Sequence, residues 1–331
     1  MPITWKLLNL GLIGIFICFT IGCAEKNQIR TLRLGHGLDV NHPVHQGMLQ
    51  IDKHLKDLSD GKMRLMIYPN QQLGSERECL ELLQIGSLDI TKVSAAVMEN
   101  FVPDFKIFGL PFLFDNKEHL FKVLDGKIGE SLLNQGSAFW LKGLGYYDSG
   151  SRSFYLKDRL VESPQDLQGL KIRVMESATA IEMMQHLGAS PTPISWGELY
   201  TSLQQGVVDG AENNPPSFYL SKHYEVCKYY VISEHTTIPD VLLTSTHLWN
   251  KLSEIEKKWL RQSVRKSVIF QRKLWVKSEQ DALDGARASG IKISYPNKQP
   301  FRDAVKPMYK SFNTNPQMAQ LIQSIENTKT P

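Results

Sequence analysis

The sequence predicts an α/β protein of two lobes, each with a largely parallel sheet, separated by a cleft and sharing one long helix. Two observations carry this expectation. The segment Leu83-Gln84-Ile85-Gly86-Ser87-Leu88-Asp89 is echoed by Leu203-Gln204-Gln205-Gly206-Val207-Val208-Asp209, and each copy joins the end of an amphipathic helix to the start of a strand. The stretch between Ser253 and Gly290 reads as one helix from a capping box to a glycine stop. At 1.5 Å per residue it would run roughly 54 Å, longer than one lobe is wide.

Each copy of the echo is preceded by the same order of elements. Upstream of the first, apolar spacing predicts a strand at 32–35, a helix at 44–58 and a strand at 63–68. Upstream of the second it predicts a strand at 170–175, a helix at 178–187 and an extended, proline-broken stretch at 190–194. Helix starts repeat as well: Ser75-Glu76-Arg77-Glu78, Ser195-Trp196-Gly197-Glu198 and Ser253-Glu254-Ile255-Glu256 all read as capping boxes. Further strands are expected at 144–147, 207–211 and 291–295, and the tail from Asn313 reads as polar and loose.

Among 331 residues, 42% are hydrophobic and 22% charged, which excludes disordered, collagenous and coiled-coil classes. The net charge of +4 is too small and too evenly spread for a nucleic-acid binder. A monomer is expected. Lys6 is followed by an apolar stretch and then Thr20-Ile21-Gly22-Cys23, the layout of an export signal over residues 1–23. That stretch is shorter than the roughly 20 residues a membrane-spanning helix needs. Gly22-Cys23 resembles the processing site of bacterial lipoproteins, which implies lipidation at Cys23; plain cleavage and an uncleaved anchor are the alternatives. Of the remaining cysteines, Cys79 and Cys227 could form one disulfide, but their apolar settings favour buried free thiols.

Open α/β sheets bind ligands beyond the carboxyl ends of their strands. In 170–174 the apolar residues alternate with Lys171 and Arg173, so Arg173 points away from the apolar face near a strand end. Arg152 follows the strand at 144–147 through Gly150, and Asn213 with Asn214 follows 207–211. Two guanidinium groups and an amide in one neighbourhood suit an organic anion, because a guanidinium presents paired N–H donors to the two oxygens of a carboxylate. Glu78, Ser94, His235, Tyr147 and Trp196 are the candidates for the remaining polar contacts and an apolar wall. His36, His42 and His45 lack an accompanying carboxylate or cysteine cluster, so no metal is expected. No Gly-x-Ser-x-Gly, His-Glu-x-x-His or phosphate-binding glycine loop occurs, and neither an enzyme nor a cofactor is expected.

The runs Gly169-Leu170-Lys171-Ile172-Arg173-Val174, Gly188-Ala189-Ser190-Pro191-Thr192-Pro193 and Gly206-Val207-Val208-Asp209-Gly210-Ala211-Glu212-Asn213 closely resemble the solute-binding proteins of tripartite ATP-independent periplasmic (TRAP) transporters, the DctP family. So do Pro69-Asn70-Gln71-Gln72-Leu73-Gly74-Ser75-Glu76-Arg77 and Phe108-Gly109-Leu110-Pro111-Phe112. The resemblance implies a two-lobed periplasmic-binding-protein fold, with lobe I at 30–149 and 240–278, lobe II at 150–239 and 279–331, and hinge bending near Gly150 and Asp240. It implies Arg173 as the main carboxylate ligand, Arg152 and Asn213 beside it, and Trp196 and His235 in the pocket; His36, beside the first strand, is a further candidate. A periplasmic protein that hands its ligand to the small and large membrane permease subunits follows from the same resemblance. The stretches around Trp196 and Asn213 look like members associated with hexuronates, although Gly37 stands where those members tend to have asparagine. Two rival functions use the same residues. One is an exported lyase acting on uronic-acid polymers, with Tyr147 or His235 abstracting a proton; the other is a sensor that presents its ligand to a membrane receptor.

Overall fold

The computed structural model describes residues 29–329; the expected export signal at 1–23, with Cys18 and Cys23, lies outside them. Lobe I begins with β1 (Arg30–Gly35), α1 (Pro43–Leu58), β2 (Met63–Tyr68), α2 (Glu76–Gln84) and β3 (Ile90–Ser94). It continues through α3 (Ala95–Met98), α4 (Lys117–Leu124) and α5 (Lys127–Gln135) to β4 (Leu141–Tyr147). The chain then crosses into lobe II as β5 (Arg152–Leu156), followed by β6 (Lys171–Val174), α6 (Ala178–His186), β7 (Ser190–Pro193), α7 (Trp196–Gln204), β8 (Gly210–Asn213), α8 (Pro215–Leu220) and β9 (Tyr229–Thr236). It returns to lobe I as β10 (Asp240–Ser245) and α9 (Thr246–Lys251).

The sheet orders are β2-β1-β3-β10-β4 in lobe I and, with β11 (Lys292–Ser294), β11-β9-β5-β8-β6-β7 in lobe II. The strands of each βαβ unit are parallel, as the echo requires, but β10 runs antiparallel to β3 and β4, and β5 antiparallel to β8 and β9. The sheets are therefore mixed rather than largely parallel. The exceptions involve the strands that carry the chain between lobes, at β4 to β5 and at β9 to β10.

The duplicated motif has the same job in both lobes. Gly86 and Gly206 take left-handed φ of +74° and +73°, closing α2 and α7 so that the next strand can start. The motif's last residue then caps a neighbouring strand: Asp89 Oδ2 accepts from Arg33 N, and Asp209 Oδ2 from Lys171 N, both at 2.8 Å. The expected box at Ser195 is incomplete, because its hydroxyl donates to Glu198 Oε2 and makes no cap bond to the helix backbone, whereas the boxes at Ser75 and Ser253 are complete.

The long helix α10 (Glu254–Ala288) has 35 residues, about 52 Å by its rise per residue. It buries Leu260, Val264 and Trp275 in a core shared with α1, and farther along Gly285 lies flush against Tyr219 of α8. It therefore touches both lobes. The tail is ordered, not loose: α11 (Gln299–Asn313) and α12 (Pro316–Glu326) bury Phe301, Val305, Met308 and Phe312, then Met318, Ile322 and Ile325. Their three- and four-residue spacing lies under a polar composition. α12, expected with lobe II, packs on lobe I, where Gln317 Nε2 donates to Asp104 and the His119 ring bonds the Ile325 carbonyl.

Substituting the paired glycines tests the shared turn. A left-handed alanine costs about 1 kcal/mol, and Gly206 has only the tip of Lys157 near its absent Cβ, whereas at Gly86 a Cβ would also press to 3.1 Å on His247. Urea unfolding should therefore show Gly206→Ala less stable by about 1 kcal/mol and Gly86→Ala less stable still; wild-type stability in both would contradict the account.

Candidate functional site

A cavity lies between the lobes, lined by residues of both. From lobe II, Arg173, Arg152, Asn213, Asn214, Ser217 and Trp196 face it. From lobe I come Gln71, Glu76, Lys92, Ser94 and His42, with Asp240 at the crossing into β10. The lobes also touch across the cleft: Asn100 Nδ2 donates to the Glu176 carbonyl at 2.7 Å, and Glu99 Oε1 accepts from Thr179 N at 3.0 Å. Gln71 lies against Gly197, and at Gly37 a Cβ would meet Gln71 and Trp196 at 3.3 and 3.7 Å. The side chain missing at Gly37 is thus replaced by these two neighbours.

The two arginines do different work. Strand β6 carries Arg173 to its end, where Nε donates to the Ile194 carbonyl at 2.8 Å. The guanidinium is 2% exposed, and its Nη1 is buried without a partner among the described residues. Of five N–H donors only the one on Nε is used there, so both terminal nitrogens remain for a ligand. Burial is the largest influence on this group and lowers its pKa; Glu212 and Glu76 oppose that from a distance, and no described carboxylate is ion-paired with it. Its central carbon lies 6.0 Å from the Trp196 ring centroid, at the edge of cation–π range.

Arg152, by contrast, is committed to the protein. Its Nε is ion-paired with Glu212, Nη2 donates to Glu212 Oε1 and to the Glu212 carbonyl at 2.7 Å each, and Nη1 donates to Asn213 Oδ1 at 2.9 Å. One N–H is left for the cavity. Arg152 thus stands in the wall, as expected of a residue beside Arg173, but its charge is neutralised by Glu212 and it has one N–H to offer. Burial works against the Glu212 carboxylate, yet Arg152 beside it holds the group at about 2.

A second charged group lies on the lobe I side. Lys92 Nζ donates to Glu76 Oε1 at 2.9 Å and to Asp240 Oδ1 at 3.2 Å, and Ser94 N donates to Glu76 Oε2 at 3.0 Å. Burial alone would lower the Lys92 ammonium, but Asp240 and Glu76 raise it above its usual value. Neither Lys92 nor Glu76 was expected at the site, and Asp240 was named only as a hinge position. The available signal was Lys92 itself, a lysine inside the otherwise apolar-flanked strand Ile90–Ser94, since lysine is almost never fully buried unless paired.

Four expected residues are not in the cavity wall. Tyr147 is fully buried behind it, bonded to Ser267. His235 is also fully buried, stacked on Phe154 at 4.4 Å, with Nδ1 on Ser233 and Nε2 toward Glu212 at 3.5 Å. It braces Glu212 from behind and is a positioning residue at most. Glu78 is exposed and its carboxylate closes the capping box on Ser75 N at 2.7 Å; Glu76, two residues earlier, is the one that reaches the cavity. His36 is buried against His45 at 2.9 Å and the Leu38 amide, and His42 is the histidine on the wall. Because neither Tyr147 nor His235 reaches the cavity, the lyase reading loses both of its proton acceptors. Cys79 and Cys227 are buried free thiols in separate cores.

A buried cation with no ion-paired carboxylate among the described residues, at a strand end between two lobes, is the arrangement a binding protein for an organic anion needs. Residues 34–315 match the family described as bacterial extracellular solute-binding protein, family 7. The chain belongs to this DctP family of TRAP solute-binding proteins, which are transport proteins and not enzymes. It is 30% identical to the sialic acid-binding periplasmic protein SiaP of Vibrio cholerae, over 92% of this chain and 94% of that one. A TRAP periplasmic solute-binding protein from Bradyrhizobium, solved with galacturonate, is 39% identical with a TM-score of 0.88, covering 90% of this chain and all of the other. One from Anaerococcus prevotii, solved with glucuronate, is 36% identical with a TM-score of 0.88, covering 90% and 98%. Among the described residues no helix is long and apolar enough to cross a membrane.

The buried imidazoles give the fold a pH dependence. Burial, aided by neighbouring cations, lowers His36 to about 2 and His42 and His223 to about 3, from 6.5. The unfolded chain therefore takes up protons below pH 6.5 that the folded chain refuses, and stability falls with pH from there toward 3. At pH 5 each of the three costs about 2 kcal/mol. Melting temperatures should drop steadily between pH 7 and 4, and less so in His42→Gln; a flat profile would contradict the buried, neutral assignment.

Proposed function

We propose that this chain captures a hexuronate such as D-galacturonate or D-glucuronate in the periplasm and delivers it to the small and large subunits of a TRAP permease. Residues 1–23 serve as its export signal, with Cys23 as the lipid-bearing residue if the segment is processed as a lipoprotein. The observation that carries the reading is the unpartnered Nη1 of a fully buried Arg173. An uncompensated buried charge costs several kcal/mol, and a carboxylate on Nη1 and Nη2 removes that cost with a bidentate bond. Trp196 supplies a flat face for the pyranose ring, and the ring hydroxyls meet Asn213, Asn214, Ser94 and the last donor of Arg152. Solved relatives carrying galacturonate or glucuronate support the choice of sugar acid.

Binding and closure are coupled. Arg173 and Trp196 belong to lobe II, Ser94 and Gln71 to lobe I, and the connections between lobes at residues 148–151 and 237–239 are short. A ligand touching both lobes binds the closed form better than the open one, and this differential affinity drives closure.

Removing one partner of a buried charged pair costs about 2–5 kcal/mol, roughly thirty- to several-thousandfold in affinity. Titration calorimetry with D-galacturonate and D-glucuronate should show Arg173→Ala losing affinity by that factor. Arg173→Lys should fail to restore it, because an ammonium lacks the planar fork. Near wild-type binding in either variant would overturn the reading.

A further inference from the structure

The cavity has two poles of opposite sign. At the lobe II pole Arg173 is uncompensated while Arg152 is neutralised by Glu212. At the lobe I pole one ammonium, Lys92, faces two carboxylates, Glu76 and Asp240, so that pole carries an excess negative charge. Lys92 and Asp240 have side chains only 3% and 5% exposed, which weakens solvent screening of that charge.

We infer that the Lys92–Glu76–Asp240 cluster determines specificity: it accepts the neutral hydroxyl end of the ligand and rejects a second carboxylate, so that the site takes monocarboxylate sugar acids and excludes dicarboxylates of the same carbon skeleton. This inference rests on the hexuronate reading given above. The donor and acceptor count fits it. Lys92 uses two of its three N–H donors, on Glu76 and Asp240, and Asp240 Oδ2 makes no hydrogen bond to the described residues. The free N–H and the free oxygen sit on neighbouring groups of one wall. A hydroxyl, which both accepts and donates, satisfies the two together. A carboxylate only accepts; it could take the ammonium N–H but would oppose Asp240 Oδ2 and Glu76 with a like charge, an arrangement that suppresses wrong partners.

The geometry also explains why the cluster is anchored. Asp240 opens β10 opposite Ser94 in β3 and Tyr147 in β4, and Glu76 is fixed through the Ser94 amide. The negative pole is thereby tied to sheet positions and not to a mobile loop. Arg77, also at the cavity, is more than half exposed and paired with Glu81, so it does not cancel the excess.

D-galacturonate and D-galactarate share a carbon skeleton and differ by oxidation at one end, but galacturonate closes to a pyranose and galactarate is an open chain. The wild-type ratio therefore includes ring shape, and it is the change in that ratio on substituting Asp240 or Glu76 that reads the lobe I pole. Calorimetry on wild type should show galactarate at least about tenfold weaker, equivalent to 1.4 kcal/mol. Asp240→Asn and, independently, Glu76→Gln should each narrow that ratio, chiefly by improving galactarate relative to galacturonate. A merely structural role would weaken both ligands alike and leave the ratio unchanged. Glu76, being partly exposed, serves as the variant least liable to misfold, and thermal melts confirm folding of both. Equal wild-type affinity for the two acids, or a ratio unmoved in both variants, overturns this inference while leaving the hexuronate reading intact. Failure of wild type to bind either hexuronate overturns that reading and this inference with it.

Discussion

A single guanidinium, buried and ion-paired with no carboxylate among the described residues, sets the terms for everything around it. Among the described residues no carboxylate contacts Arg173; Glu212 and Glu76 compensate its charge only from a distance, and a bound carboxylate would do so directly. The strand end, the Ile194 carbonyl and the Trp196 ring hold the group in one orientation, which converts charge into directional recognition. The same group explains why the two lobes form one receptor, since an anion bound there lies between lobe II donors and lobe I acceptors.

The other buried charges are arranged so as not to compete. Glu212 absorbs Arg152 and is itself braced by His235. Glu76 and Asp240 hold Lys92 in place. The histidines packed near the cleft are kept neutral by burial and nearby cations, so they add no positive charge that would blur the one at Arg173. Each of these groups depends on partners brought together by the crossings between sheets, where β10 joins β3 to β4 and β5 lies between β8 and β9. The fold's departure from parallel order is thus the feature that assembles the site.

Much of this was legible in sequence. The duplicated helix-to-strand motif revealed the two βαβ units because its glycine and aspartate perform local tasks, a left-handed turn and a strand cap, that leave a fixed spacing. Arg173 was legible because strand alternation alone turns it from the apolar face. What failed required knowing which long-range neighbour a side chain meets. Nothing in the sequence distinguishes an arginine awaiting a ligand from one already paired, and Arg152 finds Glu212 only through the β5–β8 pairing. Tyr147 and His235 stand at strand ends like true wall residues, but their neighbours Ser267 and Phe154 draw them into the core. Glu78 answered to its capping role, while Glu76 beside it reached the cleft. The C-terminal helices were hidden by polar residues interleaved with a buried stripe.

The central claim is most directly tested by a crystal structure of the protein with D-galacturonate. The account predicts both carboxylate oxygens about 2.7–2.9 Å from Nη1 and Nη2 of Arg173, with the opposite end of the sugar at Lys92 and Asp240. A carboxylate seated on Lys92, or an Arg173 that turns away to pair with a protein carboxylate, would contradict it.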